Sequence, residues 1–406
     1  MTTARPLEDN QLLSRFQALD AFLREHQSLW RPRPFTQLHL PWETEHSALS
    51  SWLRQRSLNE AEAAHNHPEQ LHAPAPFPQL ASLAAQLSEV GELSTVALPS
   101  AGHRLNVDVP GRKWQQIEAF ASHLGFTRQP QHWLDWCSGK GHLGRRLLQT
   151  DRQHLTCLEY DAALVEAGQQ LSQHHGLPSQ HLLQDVLADD ADRHLSSAHT
   201  AVALHACGDL HVRLIQLASR QGCRQLAIAP CCYNRIQAAQ YQPMSTAAIA
   251  SGLQLSIDDL GLPLSETVTA GARVRRQRDE SMARRLGFDL LQRQLRGKDE
   301  YLPTPSLPVS WLHKPFADYC RDLAALKDLQ IDHAPDWQAL QAKGWQRLAE
   351  VRNLELLRNL FRRPLEMWLV LDRGLYLQEQ GYRVQLGVFC EQPLTPRNLM
   401  LLAERQ

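Results

Sequence analysis

The chain has 406 residues, enough for two or three domains. Its 43% hydrophobic and 21% charged content excludes an intrinsically disordered protein. Its net charge of −1 excludes a global field that would draw in nucleic acid, so any basic footprint has to be local. No run of 18 apolar residues marks a membrane span, and the first residues lack an apolar core of signal-peptide length. The expectation is a cytoplasmic protein with no membrane partner. Eight scattered cysteines without a C-x-x-C pair suit reduced thiols rather than a disulfide framework.

Residues 1–110 read as a helical N-terminal region. Leu12, Phe16, Leu19, Phe22 and Leu23 recur at helical spacing, and a proline-rich break follows at His67–Pro78. A helix is expected from Gly111 through Phe120, with Lys113 in its first turn. From 132 onward strand and helix patterns alternate, with strands expected at 132–136, 154–159, 181–185, 200–206 and 225–230. That order predicts a doubly wound, Rossmann-like α/β sheet with right-handed crossovers. The core spans 111–233. After Tyr233 the alternation stops, and 234–360 reads as a helical insertion on the substrate side. It carries the basic run Arg273-Val274-Arg275-Arg276-Gln277-Arg278. Two more strands, 367–371 and 382–389, are expected within 361–406. They would complete a seven-strand sheet, with the insertion between strands five and six.

The segment Asp135-Trp136-Cys137-Ser138-Gly139-Lys140-Gly141-His142-Leu143-Gly144 joins the first strand to a helix. Its glycines let the backbone adopt positive φ and approach a ligand closely. The spacing D-x-x-S-G-x-G is not that of dinucleotide enzymes. It is close to motif I of S-adenosylmethionine (SAM) methyltransferases, D/E-x-G-x-G, with Cys137 where glycine is usual. Asp135, Ser138, Gly139, Lys140 and Gly141 are therefore candidate cofactor-binding residues. Glu159 closes the second strand at the position that grips ribose hydroxyls in such folds. Asp185, after the third strand, stands where an acid meets the adenine amino group. Lys113 would reach the cofactor from the preceding helix.

Strands four and five end in Leu204-His205-Ala206-Cys207-Gly208-Asp209-Leu210 and Pro230-Cys231-Cys232-Tyr233-Asn234. Ligands bind at the carboxyl ends of such strands, so both motifs should face the same crevice as Gly139. Three readings of the cysteines stand open. They are small residues packing the strand ends, ligands of a metal together with His205, or a nucleophile that activates a pyrimidine for C5 methylation. RNA 5-methylcytosine enzymes carry cysteines at these two strand ends. Adjacent cysteines make poor chelate geometry, so no metal is expected. Asp209, Cys231, Cys232 and Tyr233 are the candidate catalytic groups, with His205 on the cofactor side.

These motifs resemble the methyltransferase-like 25 proteins and relatives labelled ribosomal RNA adenine dimethylase domain-containing. The resemblance extends to Lys113, Leu371-Asp372-Arg373 and Pro396-Arg397-Asn398-Leu399, and so covers roughly residues 110–400. It implies a seven-strand SAM methyltransferase and leaves the substrate open. The expected activity is methyl transfer from SAM to a macromolecule, with RNA as acceptor and protein as the alternative. A non-catalytic scaffold that binds RNA or protein is the reading from another class.

Overall fold

The computed structural model describes residues 4–100, 105–107, 109–150, 152–265, 272–333 and 335–406. They form two compact units: Met1–Arg24 with Leu87–Val268 and Arg363–Gln406, and Glu25–Gln86 with Thr269–Arg362. No helix among the described residues is long and apolar enough to cross a membrane.

The first unit holds one sheet. Its strands are β1 (Leu7–Glu8), β2 (His132–Trp136), β3 (His154–Glu159), β4 (Ser179–Leu183), β5 (His199–Cys207), β6 (Gln225–Cys231), β7 (Tyr382–Val388) and β8 (Leu399–Arg405). Their order across the sheet is β1-β7-β8-β6-β5-β2-β3-β4. The five strands β2 to β6 are parallel, and β8 runs antiparallel to both its neighbours, β6 and β7. Apart from the two-residue edge strand β1, this is the Rossmann-like SAM methyltransferase sheet, with its last strand reversed and inserted. Central β6 is buried along its whole length, as a strand covered on both faces must be. The order reverses between β2 and β5, which places the ligand crevice at the carboxyl ends of these two strands.

Two sequence expectations need correction. Residues 367–371 are not a strand but the middle of the helix Arg362–Glu379. Met367, Trp368, Leu369, Val370 and Leu371 are all completely buried there. A helix buried all round shows no period over five residues, so the run read as extended. Trp368 packs on Phe16 of the helix Asn10–Glu25, with ring centroids 5.1 Å apart, and its Nε1 donates to Asp20 at 3.0 Å. The sheet is completed instead by Leu399–Arg405. The third parallel strand also ends earlier than expected, at Leu183, which leaves Asp185 in the following loop.

The second unit is helical. Its longest helices, Ala272–Arg296 and Trp337–Asn359, pack on each other and on shorter helices at Ser47–Arg54 and Leu58–Ala64. The basic run lies at the start of the first of these helices, and two of its four arginines find a carboxylate within the unit. Arg275 and Arg278 face Glu62, which also pairs with Arg352, and further along Arg284 pairs with Glu280. Arg273 and Arg276 stay exposed.

Candidate active site

The turn after β2 is a left-handed cradle. Cys137, Gly139 and Gly141 have φ of 58°, 57° and 70°. Ser138 donates its N–H to Leu158 O (3.0 Å), and Gly141 donates to Ser138 O (2.8 Å). A Cβ on Gly139 would meet nothing within 4 Å, so this backbone faces open space that a ligand can fill.

Asp135 lies beneath this cradle. It is 2% exposed and accepts the Gly144 N–H at 2.9 Å. Burial pushes its carboxyl up to about 7, against the opposing Gly144 hydrogen bond and the nearby Arg145 and Lys113 charges. It braces the turn. Lys140 offers its carbonyl to Arg145 Nη1 at 2.5 Å, while its side chain lines a separate cavity of about 460 Å³ with His142, Gln170 and His174.

Glu159 ends β3 with its carboxylate folded onto the turn. One oxygen accepts from Gly139 N–H at 2.8 Å, and the other accepts from Tyr160 and Asp161 N–H at 3.0 and 3.1 Å. Beside it stand two side chains that sequence reasoning passed over. Tyr160 is 74% exposed and Leu183 59% exposed, and Glu159 and Leu183 are register partners across β3 and β4. Both side chains stand in water at neighbouring strand ends, next to the Glu159 carboxylate along the chain and across the register. The signal available was an apolar or aromatic residue closing a strand beside an acid. Asp185 is exposed and accepts the Leu187 N–H at 2.9 Å.

Lys113 is exposed on the helix Gly111–Ser122, and its charge acts on Asp135, His142 and His205. His205 has φ of 70° and shifts the register between β5 and β6. Its Nε2 meets Gln116 Oε1 at 2.7 Å. Part of the ring reaches solvent, yet the surrounding protein desolvates it and lowers its pKa, helped by Lys113.

The ends of β5 and β6 bring Cys207, Cys231 and Cys232 together, with all three sulfurs within 4.8 Å of one another. Cys207 Sγ and Cys231 Sγ are 3.6 Å apart. Backbone bonds lock the two strand ends: Gly208 N–H to Cys231 O (3.1 Å), Arg235 N–H to Cys232 O (2.9 Å) and Asp209 N–H to Arg235 O (3.0 Å). Cys232, at φ 48°, turns its sulfur back toward the other two. Hydrogen bonds from Cys207 and Cys231 hold Cys232 far below the ordinary thiol range, and Arg397 and Arg235 add to this. The same sharing pushes Cys231 well above it. All eight cysteines are free thiols.

Asp209 opens the helix Asp209–Arg220 and accepts Gln237 N–H at 2.7 Å. Tyr233 does not join the crevice groups, contrary to expectation. It is completely buried and donates its hydroxyl to Glu366 Oε1 (3.1 Å) and Pro230 O (3.3 Å). Burial and Glu366 raise its pKa well above 10. It anchors the loop after β6 to the helix Arg362–Glu379 and is not placed to meet an acceptor.

Residues 112–239 match the family model described as a methyltransferase domain. That segment runs from the Lys113 helix through the glycine turn to just past the cysteine cluster. No curated protein matches the chain significantly. Among solved structures, coclaurine N-methyltransferase bound to N-methylheliamine and SAH is 11% identical, with 85% of this chain and 89% of that chain covered. Its TM-score of 0.26 is too low for the likeness to bear on the site. The domain match and the strand order make SAM the cofactor of this crevice. The residues present fit it: open space above Gly139, the Glu159 carboxylate on the same turn, and exposed Tyr160 and Leu183 beside that acid.

Proposed function

We propose that the chain is a SAM-dependent methyltransferase that modifies a macromolecule, and that the acceptor is RNA. The observation that carries the reading is the crevice itself. The glycine turn and Glu159 stand at the carboxyl ends of β2 and β3, the sulfur cluster at those of β5 and β6, and Cys137 lies near enough to feel both Glu159 and Cys207. Lys113 and the turn backbone would hold the methionine end of SAM, Glu159 its ribose, and Tyr160, Leu183 and Asp185 its adenine. When bound, SAM supplies an electrophilic methyl group, and transfer is an in-line displacement in which positioning does much of the catalytic work. The exposed Arg273 and Arg276 of the basic run suit RNA phosphates and support RNA. The likeness of the His205–Leu210 and Pro230–Tyr233 motifs to the methyltransferase-like 25 proteins supports methyl transfer and leaves the acceptor open.

The test is transfer of labelled methyl from SAM into an extract of cells lacking the protein, separated into RNA, protein and small-molecule fractions. Label in RNA that disappears with Glu159→Ala supports the reading. Label in protein replaces the acceptor. SAM binding without transfer to any fraction points to the scaffold.

A further inference from the structure

The cysteine cluster has a geometry of its own. Zinc–thiolate bonds of about 2.3 Å in a tetrahedron separate neighbouring sulfurs by about 3.8 Å. Cys207 Sγ and Cys231 Sγ already stand 3.6 Å apart, and the third sulfur lies within 4.8 Å of both. Little movement would let all three share one ion.

This arrangement is imposed by the fold. Two backbone bonds between residues 207–209 and 231–235 and a third inside the turn Cys232–Arg235 fix the two strand ends, and Cys232 adopts a φ that β-carbon residues avoid. Without that left-handed turn, the side chains of two adjacent residues would diverge. The turn removes the objection that vicinal cysteines chelate poorly.

A lone nucleophile fits these observations less well. Cys231 is 5% exposed and cannot reach an acceptor. Cys207 and Cys232 are half-buried, and each sulfur faces the other two. The cluster is therefore closed at the back by Cys231 and open toward Cys207 and Cys232. Three protein ligands with one open side is the pattern of catalytic rather than structural zinc sites.

We propose that Cys207, Cys231 and Cys232 bind one thiophilic divalent cation of the zinc class, with its fourth position open to the crevice. An ion there would take a water or an acceptor heteroatom and lower its pKa. The inference rests on the sulfur geometry and is independent of which macromolecule is methylated. It revises the sequence expectation that the chain holds no metal.

The test uses the full chain, reduced and stripped of metal, titrated with cobalt(II) and then with zinc chloride. A sulfur-to-cobalt charge-transfer band that saturates at one equivalent and is displaced by zinc supports the site. Cys207→Ser and Cys232→Ser should each weaken zinc binding by about tenfold or more, since even second-shell losses reach that range. Cys390→Ser should leave binding unchanged. A wild-type readout keeps the test decisive if the serine variants fold poorly. Zinc should shield Cys207 and Cys232 from iodoacetamide while Cys137 and Cys390, equally half-buried, react as before. Absence of the cobalt–thiolate band overturns the proposal, as does equal alkylation with and without zinc. A covalent adduct between the zinc-treated chain and 5-fluorocytidine RNA on one of the three sulfurs also overturns it. SAM binding by calorimetry, run on the same metal-free sample, reports separately on the methyltransferase reading.

Discussion

Glu159→Gln separates a ligand-binding role from a bracing role. In the free protein the Glu159 carboxylate already accepts three backbone N–H groups, at 2.8, 3.0 and 3.1 Å. Oε1 already accepts two of these, but Oε2 accepts only Gly139 and has a lone pair left for a ribose hydroxyl. Each such bond to a charged acceptor contributes about 1.5–3 kcal/mol. The glutamine amide keeps one acceptor oxygen and turns an NH₂ toward N–H groups that need an acceptor. The charged acceptor for the ribose hydroxyl is lost. The expected loss is about 2–3 kcal/mol, roughly 30- to 150-fold in the Kd for SAM. Calorimetry reads this directly. The bracing role contributes less, because the site is half-buried and water can replace the lost acceptor. We expect about 1 kcal/mol of lost stability, a few degrees in Tm. A Kd within threefold of wild type, with the Tm lowered, would refute the ribose assignment and leave Glu159 as a turn brace.

Tyr160→Ala and Leu183→Ala should each weaken SAM binding by about 1–2 kcal/mol, with Tm unchanged, because both side chains sit in solvent and brace nothing; a loss of Tm without a loss of affinity would count against the adenine assignment. Asp135 has its folded pKa raised from 3.8 to about 7, so the native state holds a proton that the unfolded chain has released. Its contribution is therefore full below pH 3.8 and is lost as pH rises toward 7, and Asp135→Asn should flatten that slope in urea unfolding curves measured from pH 4 to 8. Gly208→Ala puts a Cβ 1.9 Å from Arg235 O at a φ of 54°. It should cost about 2 kcal/mol or more and weaken the cysteine cluster, read as faster alkylation of Cys207 and Cys232 together with a lower Tm.

How much was legible in the sequence varies by residue for physical reasons. The turn at Asp135–Gly144 was readable because its glycines sit between an apolar run and a helical pattern, and acids at the following strand ends agreed with it. The place of Glu159 at the end of the second parallel strand followed from its distance along the chain. Asp135 was placed correctly in the chain, but its burial was not visible, since an acid at a strand end faces either solvent or the underside of the turn. Tyr233 shows the same ambiguity. A tyrosine beside two cysteines suggests chemistry, yet its partner Glu366 lies 133 residues away and only the fold brings them together. The convergence of three sulfurs was obscured by a local rule. Neighbouring side chains diverge in extended backbone, and nothing in the residue string announces that Cys232 leaves that conformation. The Met367–Leu371 run fails for the opposite reason: total burial erases the periodicity that distinguishes helix from strand.

Three residues with side chains hold positive φ near the carboxyl ends of the strands: Cys137 just past β2, His205 two residues before the end of β5, and Cys232 just past β6. Only Asp9 and Asp328 share that conformation among the other described non-glycine residues. Such strain costs about 1–3 kcal/mol per residue and persists only where the surroundings enforce it. The Leu371-Asp372-Arg373 motif supplies part of that enforcement. Asp372 accepts the Met244 and Ser245 N–H groups and the Tyr241 hydroxyl. Arg373 donates to Tyr241 Oη at 3.1 Å and to His211 Nε2 at 2.7 Å. Because Arg373 can only donate, His211 Nε2 must accept, so its proton sits on Nδ1 and is given to Ala206 O at 2.9 Å. Burial and Arg373 both keep that imidazole neutral. Ala206 lies between the strained His205 and the cluster residue Cys207. A motif more than 160 positions away in sequence thus pins the backbone that aims the sulfur. The resemblance in Leu371-Asp372-Arg373 belongs, on this account, to the same device as the cysteines, one layer behind the crevice.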